Sequence, residues 1–172
     1  ARGCSIHPMY AFSDKFTSYR QFSKAILTME GDLQAVHIMK DLFEALGHKV
    51  MTVQAEDKMK YHAAAAVCSN LVVGLINMSE NLLKECGFDE KSAHEAITPI
   101  VMGNIKHIIN DGTVNALTGP IQRNDIGTVK KHLECLNDDE KRTYKAVSLE
   151  VLKVAENRDK NIDYSEMEEI LK

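Results

Sequence analysis

Asp57-Lys58-Met59-Lys60-Tyr61-His62-Ala63-Ala64-Ala65-Ala66-Val67 is the stretch where the pattern of this chain changes. Downstream of it every periodic segment is helical. The helical pattern that opens at Lys58 runs to Cys86 and stops at Gly87. About 30 residues at 1.5 Å each would span roughly 45 Å. Its middle is apolar on nearly every side, through Ala63–Val67, Leu71-Val72-Val73 and Leu75-Ile76, which predicts a central helix packed on several sides. Asp89 is placed to cap the next helix, and Pro99 is expected to kink or divide it. Asn110-Asp111-Gly112 is a stop signal, and residues 115–124, with Gly119-Pro120, form an ordered loop. Further helices are expected from Asp125 to about Leu136 and from Asn137 to about Asn157. Ser165 and Glu168 have the spacing of a capping box for a short terminal helix.

Upstream, the pattern is mixed. Ala1-Arg2-Gly3-Cys4-Ser5-Ile6 enters as a strand, and the run through His7 closes at Pro8. Ala25–Met29 is a second strand, stopped by Glu30-Gly31-Asp32. A helix follows, capped by Asp32 and ended by Gly47, with Val36, Met39, Phe43 and Leu46 as its apolar stripe. Val50–Val53 is a third strand. Three short strands and one helix make a poor domain alone. Residues 1–55 therefore look like the last part of a Rossmann-like sheet, and residues 56–172 like an all-helical domain packed closely against it. The fold class is mainly α, with a small α/β remnant in front.

Composition narrows the function classes. The chain has 172 residues, 44% hydrophobic and 27% charged, with 21 Lys+Arg against 25 Asp+Glu and a net charge of −4. That mild balance argues against nucleic acid or an anionic membrane as main partner. No uninterrupted apolar run approaches the roughly 18 residues of a membrane span, and no signal peptide is visible. The four cysteines, at 4, 68, 86 and 135, lie far apart. Neither a zinc site nor a disulfide framework is expected, and a cytoplasmic protein is. The tail Asn157–Glu166 has neither the glycine nor the glutamate spacing of a calcium loop. No phosphate-cradling G-x-G-x-x-G or G-x-x-x-x-G-K occurs.

Three constellations carry candidate chemistry. Lys58 and His62 are four residues apart and share a helix face, with Ser69 and Asn70 near that face about two turns on. A lysine there can donate a proton or hold a developing alkoxide. The plain alternative is a surface charge beside a packed histidine. In Thr118-Gly119-Pro120-Ile121-Gln122-Arg123-Asn124-Asp125, Gly-Pro fixes a bend and Arg123 offers a planar fork for a carboxylate or phosphate. The plain alternative is a structural turn, a helix cap at Asp125 and a surface arginine. His7-Pro8-Met9 lies just after the first strand, where α/β sheets hold ligands.

Taken in order, Ser5-Ile6-His7-Pro8-Met9, Glu30-Gly31-Asp32, Lys58-x-x-Tyr61-His62-Ala63-Ala64-Ala65, Ser69-Asn70 and Ala116-Leu117-Thr118-Gly119-Pro120-x-x-Arg123-x-Asp125 resemble a family of two-domain bacterial NADP oxidoreductases. Those proteins join an N-terminal Rossmann-like domain to a C-terminal helical domain of unknown function. More distantly the chain is similar to ketopantoate reductase, 6-phosphogluconate dehydrogenase and 3-hydroxyisobutyrate dehydrogenase. The resemblance covers most of the chain and is weakest after about residue 140. It implies a 6-phosphogluconate dehydrogenase C-terminal-like helical domain. In the hydroxyacid dehydrogenases the long helix opens with a catalytic lysine and an asparagine four residues later. Lys58 matches the lysine, and His62 stands where the asparagine would be. His7-Pro8-Met9 replaces a Ser-Gly-Gly substrate loop, and Glu30-Gly31-Asp32 corresponds to the turn after the next strand.

The resemblance thus implies hydride transfer between NADP or NAD and a small keto or imino acid. Lys58, His62 and Asn70 are the implied catalytic residues. His7, Pro8, Met9, Thr118, Gly119, Arg123 and Asp125 are the implied substrate-binding residues, with Arg123 a carboxylate anchor that reaches across a dimer. The main dinucleotide site is expected in an N-terminal half that precedes this sequence, so the chain alone should bind the cofactor poorly and be inactive. A homodimer through the helical domain is expected, without metal, nucleic acid or membrane. The alternative is a non-enzymatic dimerisation or ligand-sensing module that keeps an ancestral reductase shape.

Overall fold

The structure is a computed structural model that describes residues 3–12 and 14–172. Ala1 and Arg2, which open the first expected strand, lie outside the described residues. The fold is mainly α with one small sheet, and it divides into two compact units, residues 1–76 and 77–172. The change from mixed to helical elements falls near Ala55, whereas the compact units divide inside a helix.

The first unit is built on strands β1 (Cys4–Met9), β2 (Ile26–Gly31) and β3 (Val50–Thr52), in the order β1-β2-β3. β1 runs antiparallel to β2, and β2 runs parallel to β3. Parallel neighbours need a crossover, and helix α1 (Leu33–Ala45) supplies it. Asp32 caps α1 by accepting from the N–H groups of Gln34 and Ala35, both at 3.1 Å. Gly47 ends the helix at φ 86°.

Alternation along the strands decides what each face carries. Leu27, Met29 and Val50 are buried with Val36 of α1, and Cys4, Ile6, Met39 and Phe43 pack against them. Leu46, expected on that stripe, is 67% exposed. The opposite face receives the intervening residues Ser5, His7 and Met9 of β1 and Thr28 and Glu30 of β2. The register sets His7 opposite Thr28 and Ser5 opposite Glu30. At Gly31 (φ 130°) a Cβ would lie 2.6 Å from the Gly3 carbonyl oxygen, so the strand crossing requires glycine there.

The long helix expected from Lys58 to Cys86 is two helices. α2 (Lys58–Cys68) and α3 (Asn70–Glu85) are separated at Ser69, whose φ of −123° and ψ of −79° leave the helical region. The Ser69 hydroxyl donates to the Ala65 carbonyl at 2.6 Å, a back-bond that competes with the helix ladder. Neither helix has a buried residue, so the expected central packing is also corrected. By length and composition the stretch 55–85 is apolar enough to cross a membrane, with a mean hydropathy of 1.3 in its best window. The same test passes core helices and signal sequences.

In the second unit, α4 (Glu90–Ala116) is capped by Asp89, which accepts from the Ser92 N–H at 2.7 Å. The helix runs through Pro99, where a kink was expected, and departs from helical geometry at Gly112 (φ 77°) instead. The Asn-Asp-Gly signal was the effective one, because glycine reaches positive φ without a Cβ penalty. α5 (Ile126–Cys135), α6 (Asp138–Arg158) and α7 (Ser165–Leu171) follow. Their core joins Val129, Leu152, Ala155, Met167 and Leu171 to Ile121 and Tyr164. The capping box sits at Asn137 and Glu140 on α6. The one expected at Ser165 does not form: Tyr164 occupies the N-cap position, and Asp163 accepts from the N–H and the hydroxyl of Ser165.

Candidate functional site

The sheet face opposite α1 carries the first group of candidate residues, and α2 lies against it. His7 is within β1 rather than after it, because Pro8 and Met9 still pair with Leu27 and Ile26. Proline is tolerated in β1 because the strand lies at the sheet edge. The Thr28 hydroxyl donates to the His7 carbonyl at 3.0 Å and fixes the strand at that point. The His7 ring meets Tyr61 at 5.8 Å and His62 edge-on at 6.3 Å, centroid to centroid. Its Nδ1 is shielded from solvent and has no hydrogen-bond partner.

These side chains open onto a cavity of about 560 Å³. One wall is residues 7–12, with Pro8, Met9 and Phe12. The other is α2 from His62 to the break at Ser69, with Asn70 beyond it. Five of the expected site residues, His7, Pro8, Met9, His62 and Asn70, are brought together here. The Ser69 hydroxyl oxygen, whose proton goes to the Ala65 carbonyl, lies 3.0 Å from the Asn70 side-chain amide.

Lys58 is placed differently. It is one turn before His62 on α2, and its ammonium group donates to the Glu30 carboxylate. It does not line the cavity. The hydrogen bond to Glu30 holds the Lys58 pKa above the ordinary lysine value, more strongly than partial burial pulls it down. Lys58 is therefore a firmly protonated cation at neutral pH. It can donate hydrogen bonds and stabilise negative charge, but it is a poor source of a transferable proton.

Glu30 is the residue that sequence reasoning did not assign. Thr28 and Glu30 are two apart in an otherwise apolar strand, as Ser5 and His7 are in β1. Period-two spacing of the polar residues marks one polar face on both strands. What sequence could not supply was the register that sets Ser5 beside Glu30.

The remaining candidates, Thr118, Gly119, Arg123 and Asp125, belong to the second unit. There the loop Leu117–Asp125 is clasped by the chain between α6 and α7. Arg158 donates to the Leu117 carbonyl at 2.6 Å and Gln122 to Asp159 at 3.0 Å. Asn124, at φ 53°, donates to the Asp163 carbonyl at 2.9 Å. The Tyr164 hydroxyl donates to the Gln122 carbonyl at 2.7 Å. Gly119 supplies the bend at φ 108°. Asp125 caps α5, accepting from the N–H and hydroxyl of Thr128 at 3.0 and 2.7 Å, and these bonds lower its pKa. Its oxygens are thus engaged in structure. Thr118 and Arg123 are exposed.

A dinucleotide was implied by the resemblance, and the described residues do not fit its phosphates. The one strand–glycine–helix turn, β2–Gly31–α1, has the Asp32 carboxylate on the helix N–H groups that would otherwise receive a phosphate. An anion there would meet like charge.

Solved structures give the same fold. The chain is similar to protein TM1727 from Thermotoga maritima, with 26% identity and a TM-score of 0.76, covering 90% of this chain and 62% of that one. It is also similar to a Bacteroides fragilis protein, BF3122, described as a "putative NADP oxidoreductase", with 20% identity and a TM-score of 0.67, covering 89% of this chain and 58% of that one. The chain thus spans about 60% of the length of these relatives. No curated protein matches it. It shares the fold of both, and with residues 25–151 matching the family model, the chain belongs to the family described as "Domain of unknown function (DUF2520)".

Proposed function

We propose that this chain is the substrate-side portion of an oxidoreductase that transfers hydride between NADP or NAD and a small keto or imino acid in the cytoplasm. The boundary near residues 55–56 would separate the end of its Rossmann-like domain from its helical domain. The observation that supports this reading best is the convergence of His7, His62 and Asn70 on one cavity, a helical turn from a permanently charged lysine. The dinucleotide supplies the hydride, and residues outside this chain would hold it.

The chain's own residues would do the rest. Lys58 would polarise the substrate oxygen and stabilise negative charge on it, with Glu30 holding the ammonium in place. That division favours polarisation by Lys58 over proton delivery from it. His62 and Asn70 would orient the substrate, and His7 with Pro8 and Met9 would close the cavity from the sheet. Arg123 would anchor a carboxylate from the partner copy of a homodimer, with Thr118, Gly119 and the Asp125 cap keeping its loop in shape. The exposed stripe Met102, Ile105 and Ile109 on α4 supports such a dimer, because an apolar surface of this kind calls for a partner.

The test is NADPH titration of the full-length protein followed by a screen of keto and imino acids. Turnover is expected from the full-length protein and not from residues 1–172 alone. Lys58→Ala should lower kcat at least tenfold, about 1.4 kcal/mol of transition-state stabilisation. An unchanged kcat removes Lys58 from the mechanism. The second reading, a non-enzymatic dimerisation or ligand-sensing module, is favoured by one observation: Lys58 is engaged by Glu30 and lies outside the cavity lining. Absence of turnover with every acid, alongside tight ligand binding, would select it.

A further inference from the structure

We propose that the His7–His62 cavity takes a monocarboxylic acid with an apolar or aromatic side chain, and not a phosphorylated or dicarboxylic one. This rests on the oxidoreductase reading for its chemistry but on the cavity alone for its specificity. Among the described residues, no Asp, Glu, Lys or Arg side chain lines the cavity. Of the two lysines on α2, neither lines the cavity, and Lys58 is paired with Glu30. The only lining groups able to carry positive charge are the two imidazoles, and their rings are 6.3 Å apart.

That inventory limits the charge a ligand can bring. The lining is only partly shielded, with His62, Phe12, Ser69 and Asn70 exposed, so pairing rather than burial sets the limit: a phosphate or second carboxylate is held by arginine or lysine forks, and the described lining has none. Two imidazoles and the Asn70 amide can answer one carboxylate, the group that Arg123 of the partner copy would also anchor, with the carbonyl oxygen left to Lys58. The rest of the ligand meets Pro8, Met9, Phe12 and Ala65, with Tyr10 as a second aromatic ring in the lining. Phe12 packs against the Tyr10 ring at 5.2 Å, with the two planes at 74°. A volume of about 560 Å³ accommodates a ring-bearing acid.

The test uses the 172-residue chain with its histidines isotopically labelled for NMR. The probes are 3-phenyl-2-oxopropanoate and 4-methyl-2-oxopentanoate, against 2-oxoglutarate and phosphoenolpyruvate. The first two should shift the His7 and His62 ring signals saturably and bind at least tenfold more tightly than the last two. His62→Phe should weaken binding of the apolar acids at least fivefold. Phe12→Ser should erase most of the preference for the phenyl side chain; both positions are exposed, so the fold tolerates them. Equal or tighter binding of the dianions, shifts confined to other histidines, or no binding by any probe overturns the proposal. Selective binding of the apolar acids without turnover in the full-length protein supports the cavity assignment and sinks the oxidoreductase reading. Reduction of only phosphorylated or dicarboxylic acids does the reverse.

Discussion

Tyr164→Phe isolates the clasp that holds the Leu117–Asp125 loop. The Tyr164 ring is 4% exposed and belongs to the second unit's core, and phenylalanine keeps that packing. What is lost is the hydroxyl that donates to the Gln122 carbonyl at 2.7 Å, from a part-buried position. Leaving such an acceptor unpaired costs about 1–2 kcal/mol. For a chain of this size each kcal/mol shifts the melting temperature by about 2–4 °C, so Tm should fall by about 2–8 °C. The loss should be felt locally as well, because the neighbouring clasp bonds from Asp159 and Asp163 act on the same turn. Amide exchange at residues 122–128 should accelerate by roughly five- to thirtyfold, the population change that 1–2 kcal/mol corresponds to. Circular dichroism melts and hydrogen exchange read the two effects separately. A Tm within about 1 °C of the parent and unchanged exchange at Asn124 would refute the clasp, leaving the loop shaped by Gly119-Pro120 alone.

Other outcomes follow from the same structure. Ile105→Asp places a charge in the exposed α4 stripe, where Ile105 is 41% exposed. A dimeric parent should become monomeric by sedimentation velocity, and a parent already monomeric at micromolar concentration refutes the stripe as an interface. Asn137→Ala removes the α6 capping box and should cost about 1 kcal/mol in urea unfolding; no change in midpoint would mean that tertiary packing alone fixes this helix end. Alkaline stability should also fall. The Lys58 pKa is raised above 10.5 by Glu30, and those of Tyr144 and Tyr164 are raised above 10.0 by burial. All three bind protons more tightly folded than unfolded. Their contribution is complete below pH 10 and is lost as pH rises through the folded values. A Tm that stays level from pH 9 to pH 11 contradicts this sign.

Element type was legible along most of the chain because capping and glycine signals are local. Asp32, Asp89 and Asp125 each cap the helix that the sequence assigns to them, and Gly47 ends α1. The failures share a cause. Pro99 was read as a kink or division because proline removes a donor, but Gly112, more than three turns further along the same helix, offered a lower-cost place to leave helical geometry. Ser69 breaks the apolar helix through a back-bond that no hydrophobicity pattern records. Ser165 failed as a cap because its own N–H and hydroxyl donate to the carboxylate of Asp163, two residues earlier.

The site was legible in its residue types and not in its pairing. Lys58 and His62 could be named from their four-residue spacing at the start of a helix, and His7 from its place beside the first strand. The partner of Lys58, however, lies 28 residues away, on β2. Only the β1–β2 register and the seating of α2 on the face that Thr28 and Glu30 share make them a pair. The pairing changes the chemistry assigned to Lys58. A free lysine at the mouth of a cavity can serve as acid and as electrostatic anchor alike. One held by a half-buried carboxylate keeps its proton, so on the proposed reading it would stabilise charge on a substrate oxygen and leave the proton to another donor. Glu30→Gln should therefore separate the two roles: if Lys58 works through charge, the variant should lower the Lys58 pKa and bring a lysine ionisation into the alkaline limb of the kcat profile. An unchanged alkaline limb would mean that Glu30 holds α2 against the sheet and nothing more.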